Sequence, residues 1–330
     1  MQHAMICTAC TRFRGDDVGA PVVCALAARA WLHCERGSQG RDARGASCTY
    51  YALAKVRMLR ATLPADVAAR IDVSALIGDV GREASSMSRD FNAQGAANSL
   101  WAAATLGVRD DAIVGPLAAA CVAQSRTFNA QGAANSLWAA AMLGLCDESF
   151  FRVLVSHVLG FSLSEEGSQQ LLYVHVATRS WLSAPLLFSE EQLETYRARF
   201  TPERSIVSQS QRDVAASLSR LGFSVEMEAL VLDGLHAVDA LVHLPGGSLV
   251  VVEFDGPTHF LRRIHSATGG HTFTPNGATL FRDRLLREAG FDVIAIPFFE
   301  WDELVNDAAR DAYISTRLNA ARARGDESKP

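Results

Sequence analysis

The chain has 330 residues, of which 49% are hydrophobic and 20% are charged, a composition typical of folded globular proteins. This length is enough for two ordinary domains. No apolar run approaches the roughly 18–20 residues that a membrane-spanning helix needs, so the sequence excludes such a span. The formal net charge is −5, so any binding of nucleic acid must depend on a local surface rather than on bulk positive charge.

A long internal repeat is the strongest pattern in the sequence. The segment from Phe91 to Gly107 returns almost unchanged from Phe128 to Gly144, with an offset of 37 residues between the two copies. A repeat of this length is typical of helical solenoids, in which each helix pair stacks on its neighbours to bury its apolar side.

Two weaker copies extend the repeat in both directions, over residues 50–54 and 163–176. We therefore predict an α-helical repeat solenoid over residues 1–184, with its clearest units at 91–127 and 128–162. In each clear unit an asparagine is positioned to cap the first helix, and a glycine is positioned to end it in a left-handed conformation.

Two sets of side chains recur in the clear units. The aromatic set is expected to pack between repeats, with stacking on nucleobases as the alternative, and consists of Phe91, Trp101, Phe128 and Trp138. The amide set carries donors and acceptors that can match base edges, and its alternative is a solvated helix face with local hydrogen bonds. These amides, the candidates for RNA contact, are Gln94, Asn98, Gln131 and Asn135.

The repeat resembles the octotricopeptide repeat, a helix pair with a Leu-Trp-Ala-x-Ala-x-Leu-Gly core. The residues that carry the resemblance are Leu100 to Gly107 and Leu137 to Gly144. The resemblance implies a protein that binds RNA in an organelle.

The pattern changes after Pro185. A charged connector over 185–204 leads to a predicted α/β domain over 205–305, and a C-terminal helix with a frayed tail follows over 306–330. Within the domain we predict a helix, three antiparallel strands, a loop over 266–277, a second helix and a last strand. The predicted helices and strands cover 208–221, 225–232, 237–244, 249–254, 278–289 and 293–296.

Carboxylates gather at the ends of the predicted strands. Asp239 lies on the second strand, Glu253 and Asp255 end the third, and His259 follows directly. Alternation along a strand places Glu253 and Asp255 on the same side. Oxygen ligands in this arrangement suit Mg²⁺, which can activate water for cleavage of a phosphodiester. The sequence therefore predicts a possible metal and catalytic site formed by these four residues, with the three carboxylates as the ligands.

This arrangement resembles the PD-(D/E)xK nuclease core, including its Vsr-like branch. Three blocks in order, 253–259, 282–290 and 291–301, also resemble the RAP domain, which ends many octotricopeptide proteins and members of the FAST-kinase-domain family. The resemblance implies a restriction-endonuclease-like RAP α/β domain after the solenoid, acting on RNA in mitochondria or plastids.

One residue departs from the pattern of an active nuclease. The lysine expected two residues after Glu253 is replaced by Asp255, which cannot stabilise the negative charge that develops on the phosphorus centre. Arg282, Arg284 or His259 could take the place of that lysine. The chain is therefore either a degenerate nuclease that binds RNA without cutting it or a metal-dependent enzyme with an altered site.

A set of arginines offers a modest surface for phosphate groups, because neighbouring carboxylates neutralise part of its charge. We expect weak RNA affinity at physiological salt from an acidic chain of this kind. The arginines in this set are Arg262, Arg263, Arg282, Arg284 and Arg287.

Three functions stay open from the sequence. The leading hypothesis is an organellar RNA-binding protein, in a mitochondrion or alternatively a plastid, that acts in RNA stabilisation, processing, or assembly or structure of the ribosome. Its partners would be mostly single-stranded ribosomal or messenger RNA and ribonucleoprotein subunits. The alternatives are a Mg²⁺-dependent RNA endonuclease that uses Asp239, Glu253 and Asp255, and a protein-interaction scaffold.

Overall fold

The computed structural model describes residues 20–33, 42–55, 73–183, 187–200, 207–244, 247–264 and 271–327. Among these residues, no helix combines the length and the apolar character that crossing a bilayer requires. The chain divides into two compact units, one formed by residues 1–200 with 260–281 and the other by residues 201–259 with 282–330. The placement of 260–281 with the first unit differs from the continuous domains that the sequence suggests.

Helices of the first unit alternate along the chain between two layers. In one layer α2, α4, α6 and α8 pack side by side in chain order, and in the other α5 packs against both α3 and α7. This is the predicted solenoid of stacked helices. The helices are α1 (Ala20–Leu32), α2 (Ala43–Lys55), α3 (Val73–Ser86), α4 (Ala93–Thr105), α5 (Asp111–Ala123), α6 (Ala130–Leu143), α7 (Glu148–Val158), α8 (Glu165–Thr178) and α9 (Glu190–Arg197).

The same cap begins α2, α4, α6 and α8. In each, a side-chain oxygen just before the helix accepts a hydrogen bond from the backbone N–H of a glycine three residues later, which satisfies one donor of the first turn. Because the four helices share this cap, α2 and α8, which contain the two weak copies of the repeat, are structurally equivalent to α4 and α6, which contain the clear copies. The pairs are Asp42 with Gly45 at 2.7 Å, Asn92 with Gly95 at 2.8 Å, Asn129 with Gly132 at 2.8 Å and Ser164 with Gly167 at 3.1 Å.

Packing favours glycine in the cap of α6. A Cβ atom at Gly132 would lie 3.0 Å from the ring of Phe128, which is itself buried at the start of the repeat. Phe128 and Gly132 therefore form one tightly packed corner, and a larger residue would push the ring away.

The recurring Leu-Trp pair divides between the interior and the surface. Leu100 and Leu137 are fully buried, whereas Trp101 and Trp138 are only partly buried. Successive helical residues point about 100° apart, so the leucine enters the packed layer and the tryptophan next to it does not. Phe91 and Phe128 are buried, as predicted. Trp101 packs between repeats, with its ring centroid 5.2 Å from that of Tyr51, but Trp101 and Trp138 both keep part of their surface exposed.

Because Leu137 is fully buried and Trp138 is partly exposed, truncating these two adjacent residues should lower the free energy of unfolding by different amounts. We expect Leu137→Ala to lower the free energy of unfolding by about 3 kcal/mol, because it leaves a cavity in a fully buried layer. Trp138→Ala should cost less than half of that amount, although it removes the larger side chain. Urea unfolding of the two variants measures the difference, and an equal or larger loss for Trp138→Ala would contradict the assignment.

The second unit contains a four-stranded sheet of order β1-β2-β3-β6. The first three strands are antiparallel, as the sequence predicts, and the structure adds that β6 runs parallel to β3. Helices α10 and α13 bury apolar side chains against this sheet, including Leu218 and Ile314. The elements that follow α9 in the chain are α10 (Gln209–Arg220), β1 (Ser224–Val231), β2 (His236–His243), β3 (Leu249–Asp255), β4 (Phe260–Ile264), β5 (His271–Pro275), α11 (Gly277–Glu288), β6 (Asp292–Pro297), α12 (Phe298–Trp301) and α13 (Asp307–Glu327).

One prediction for this half of the chain needs correction. Residues 271–275, predicted as part of a loop, pair antiparallel with Phe260–Ile264. The glycines and proline nearby suggest a loop, but threonine and phenylalanine favour a strand here. The C-terminal helix extends to Glu327, and the fraying of the tail stays a prediction, with residues 328–330 outside the described part of the chain.

Candidate nucleic-acid interface

The predicted acidic residues converge in the second unit. Asp239 comes from β2, and Glu253 and Asp255 come from the end of β3, where alternation places both on one side of the strand. Glu253 and Asp255 are almost completely buried. Burial of carboxylates at this depth requires charged or hydrogen-bonding partners.

A guanidinium supplies that partner. Arg282 of α11 donates from Nη1 to Asp255 Oδ1 at 2.9 Å and, at a longer 3.4 Å, to Glu253 Oε2. Its Nε and Nη2 both donate to Asp283 Oδ1, at 3.0 and 2.7 Å. Only 10% of the Arg282 side chain is exposed. Arg282 is therefore an internal cation that pairs with three carboxylates, and its role in binding phosphate stays a prediction.

The pKa values of the carboxylates in this cluster depend on the groups around them. Burial acts to raise the pKa of Glu253, but the guanidinium of Arg282 and the nearby ring of His236 outweigh it, so this pKa lies below its ordinary value. The pKa of Asp239 is shifted in the opposite direction. Burial, together with the charge of Glu253, raises the pKa of Asp239 to about 7, although Phe254 and Gln211 donate hydrogen bonds to it.

These contacts do not fit the magnesium site that the sequence predicts. Both oxygens of Asp239 already accept hydrogen bonds, one from Gln211 Nε2 at 2.5 Å and one from the backbone N–H of Phe254 at 2.7 Å. Arg282 stands between the other two carboxylates. Within the described part of the chain, no group of three or more His, Cys, Asp or Glu side chains is arranged to hold a metal ion. A divalent cation would have to displace the guanidinium.

The remaining predicted catalytic residue lies beside this cluster. His259 Nδ1 is 3.2 Å from Asp255 Oδ1, and about a third of its side chain is exposed. The ring is placed to pair with the Asp255 carboxylate. Catalytic roles for His259 and the three carboxylates stay predictions.

The other arginines of the predicted phosphate set lie in different settings. Arg262 and Arg263 occupy β4, opposite Phe273 and Thr272 in the register of the hairpin. Arg284 lies 3.6 Å from Glu288. Arg287 is the most exposed of the described arginines in this set, with 56% of its side chain accessible and Asp283 at 3.5 Å.

Amides of the repeat lie on the layer formed by α2, α4, α6 and α8. Gln94 and Gln131 are exposed, and Asn98 and Asn135 are partly buried. Gln131 Nε2 donates to Asn135 Oδ1 at 2.9 Å, which is the local hydrogen bond considered as the alternative role. Gln170 of the next repeat also donates to Asn135 Oδ1, at 3.0 Å, so the amides form a network across repeats.

A cavity of about 600 Å³ opens beside this network in the first unit. Its aromatic wall comes from Tyr51, Trp101 and Trp138, which occupy the same position in α2, α4 and α6. Gln131 and Asn135 line it, whereas Gln94 and Asn98 do not. A space of this size suits a small organic ligand or a nucleotide.

Sequence reasoning missed several residues that line the cavity. Glu166 occupies the position in α8 that Gln131 occupies in α6, but the third copy of the repeat is too divergent to single it out. Lys55 and the segment from Asn276 to Ala278 also contribute, and no local pattern in the sequence connects that segment with the repeat.

Comparison with protein families finds a match in the C-terminal part of the chain. Residues 252–317 match the RAP domain. The match begins in β3 and ends in α13, and it includes Glu253, Asp255 and Arg282 but not Asp239. The matched residues overlap the predicted domain at 205–305, whose full bounds stay a prediction. A comparison with curated proteins finds no match to this chain.

Removing the internal cation should destabilise the second unit. Arg282→Met leaves Glu253 and Asp255 buried without their partner, so we expect the free energy of unfolding to fall by about 3–5 kcal/mol at pH 8. The loss should shrink at pH 5, because unpaired buried carboxylates have raised pKa values and take up protons.

Arg284→Met is the matched control, since the same change there breaks a longer pair with Glu288 that is partly exposed and should cost less than about 1 kcal/mol. Urea unfolding at the two pH values measures both variants. Equal small losses for both arginines would contradict the role given to Arg282.

Asp239 should make stability depend on pH with a defined sign. Its pKa is raised in the folded chain, so the folded state keeps a proton that the unfolded state has released, and stability is lost as pH rises from about 4 to about 7. Asp239→Asn does not titrate. We therefore expect its free energy of unfolding, relative to the natural chain, to increase over this range and then level off. A difference independent of pH would contradict the raised pKa.

Proposed function

We propose that the chain binds single-stranded RNA without cleaving it, through the face formed by α2, α4, α6 and α8. One observation carries the proposal: partly buried aromatic side chains recur at one position of these helices. The four residues at this position are Tyr51, Trp101, Trp138 and Tyr173.

The chemistry of this face suits RNA with unpaired bases. Stacking of a base on an aromatic side chain contributes about 1–3 kcal/mol and tolerates any base, because every base has an aromatic face. The amide network of Gln131, Asn135 and Gln170 supplies donors and acceptors beside the rings. The match to the RAP domain also suggests an RNA-binding function.

Binding without cleavage is supported by the acidic cluster. The guanidinium of Arg282 pairs with Glu253 and Asp255, two of the carboxylates that would otherwise hold a metal. The resemblance to the PD-(D/E)xK core also implies that Asp255 takes the position of the lysine of an active nuclease. The residues present therefore favour a structural role for this corner over a role in hydrolysis.

The biological setting is part of the same proposal. We place the protein in an organelle, a mitochondrion or alternatively a plastid, where it acts in RNA stabilisation or processing, or in ribosome assembly or structure. Support comes from the resemblance of its repeats to octotricopeptide repeats, together with the RAP domain match. A fluorescent fusion of the complete gene product tests the location, and a signal spread through the cytosol would contradict it.

Incubation of the full chain with labelled single-stranded RNA, with and without Mg²⁺, tests the activity. We expect the RNA to be shifted and to remain intact in both conditions. Trp138→Ala should weaken binding about tenfold, which corresponds to the loss of one stacked base. Phe161→Ala is the control, because it removes an exposed ring at the end of α7, outside the aromatic row, and should leave affinity unchanged.

Two results would overturn the proposal. Fragments that require Mg²⁺ and disappear in Glu253→Gln would establish a nuclease. Absence of any shift, together with absence of RNA crosslinks in cells, would favour a protein-interaction scaffold.

A further inference from the structure

We infer that the cavity of the first unit holds one guanine base of the bound RNA and that Glu166 selects it. This inference rests on the proposed function and adds a base preference to it.

The aromatic wall provides a surface for one base. Trp101 is packed against Tyr51, with ring centroids 5.2 Å apart, and the ammonium of Lys55 lies 5.7 Å from the centroid of Tyr51. In the described part of the chain, no aromatic ring packs on Trp138, which lines the same cavity. A planar ligand can therefore stack on the indole of Trp138 without displacing another ring.

Hydrogen bonds among the amides determine which group of Asn135 can donate to a ligand in the cavity. Asn135 Oδ1 accepts from both Gln131 Nε2 and Gln170 Nε2, so this oxygen is occupied and its orientation is determined. The Nδ2 group of Asn135 is then the part of the amide that can donate to a ligand. The ammonium of Lys55 is a second donor on the lining.

Glu166 supplies the acceptor side. Its carboxylate offers two oxygens and no donor, and it lies in the lining with Asn135. Guanine carries two adjacent N–H donors, at N1 and N2, and its O6 is an acceptor next to them. Two carboxylate oxygens can pair with the two donors while an amide or ammonium group donates to O6.

The other bases do not complement these groups. Adenine and cytosine present one amino donor beside a ring-nitrogen acceptor, and uracil presents one N–H between two carbonyl oxygens. Each places an acceptor against the carboxylate, and repulsion between unpaired acceptors in a cavity is costly. Guanine is therefore the base that the lining selects.

The remaining wall lies in close contact with α4. Asn276 is buried and accepts from the backbone N–H of Thr279 at 3.0 Å, which caps α11. A methyl group at Gly277 would overlap the carbonyl oxygen of Ala104, so only glycine permits this approach. The segment from Asn276 to Ala278 is thus packed closely against the end of α4.

Affinities of the full chain for the RNA pentamers UUGUU, UUAUU, UUCUU and UUUUU, measured by fluorescence anisotropy, test the inference. We expect UUGUU to bind about tenfold more tightly than the other three, the size of a well-placed pair of hydrogen bonds to a base. Replacing guanosine by inosine, which lacks the N2 amino group, should remove most of this advantage.

Variants separate base selection from general RNA binding. Glu166→Gln should abolish the preference for UUGUU by bringing the affinities for UUGUU and UUUUU together, because the amide offers guanine one acceptor instead of two and offers the carbonyl oxygens of uracil a donor. Glu165→Gln is the matched control, because it makes the same change one residue earlier in α8 at a side chain outside the cavity lining, and should keep the preference.

The possible results of these binding experiments distinguish failure of the guanine site from failure of the proposed function. Equal affinities for the four pentamers, or a preference that survives Glu166→Gln, would overturn the guanine site and leave RNA binding standing. Failure of every pentamer and of longer RNA to bind would overturn the proposed function as well. Competition by free GMP at the same concentration as UUGUU would show a mononucleotide site and would overturn the assignment to RNA.

Discussion

Side-by-side packing of α2, α4, α6 and α8 is the constraint on which the first unit depends. Alanines and leucines fill the interface, and Leu100 and Leu137 have no exposed surface. Because the same cap starts each helix at the same point of the repeat, equivalent residues are held in equivalent orientations. A residue that recurs in the sequence therefore recurs in space, which is how one aromatic position becomes a row along a surface.

The second unit has a different organising interaction, the ion pairs of Arg282. A buried cluster of carboxylates is costly unless a cation accompanies it, and in metal-dependent nucleases that cation is the metal. Here α11 supplies a guanidinium that reaches Glu253, Asp255 and Asp283. The charges of these buried carboxylates are thus neutralised by an arginine of the same chain. This leaves the first unit as the better candidate for contact with a ligand.

Local patterns in the sequence were sufficient to predict most of the fold. The repeat predicts the helix pairs, and the turn residues and apolar runs predict the four strands of the sheet. What could not be predicted depends on contacts between distant residues. Trp138 and Leu137 are both large hydrophobic residues, and only the packing of neighbouring helices decides which is buried. Arg282 lies 27 residues after Asp255, so its role as an internal cation follows from the approach of α11 to β3.

The candidate site shows the same limit. Gln131 and Asn135 could be proposed from the repeat, but the cavity beside them also requires Lys55, Glu166 and the segment at Asn276. These residues are far apart in the chain, and a divergent copy of the repeat conceals the equivalence of Glu166 with Gln131. Amides that look like a solvated helix face in the sequence become part of a lining only when α8 is placed beside α6.

Ultraviolet crosslinking of bound single-stranded RNA, followed by mass spectrometry of the crosslinked peptides, tests the central claim most directly. We expect crosslinks to the peptides that contain Trp101 and Trp138. Crosslinks confined to residues of the second unit, with none on the helices of the repeat, would contradict it.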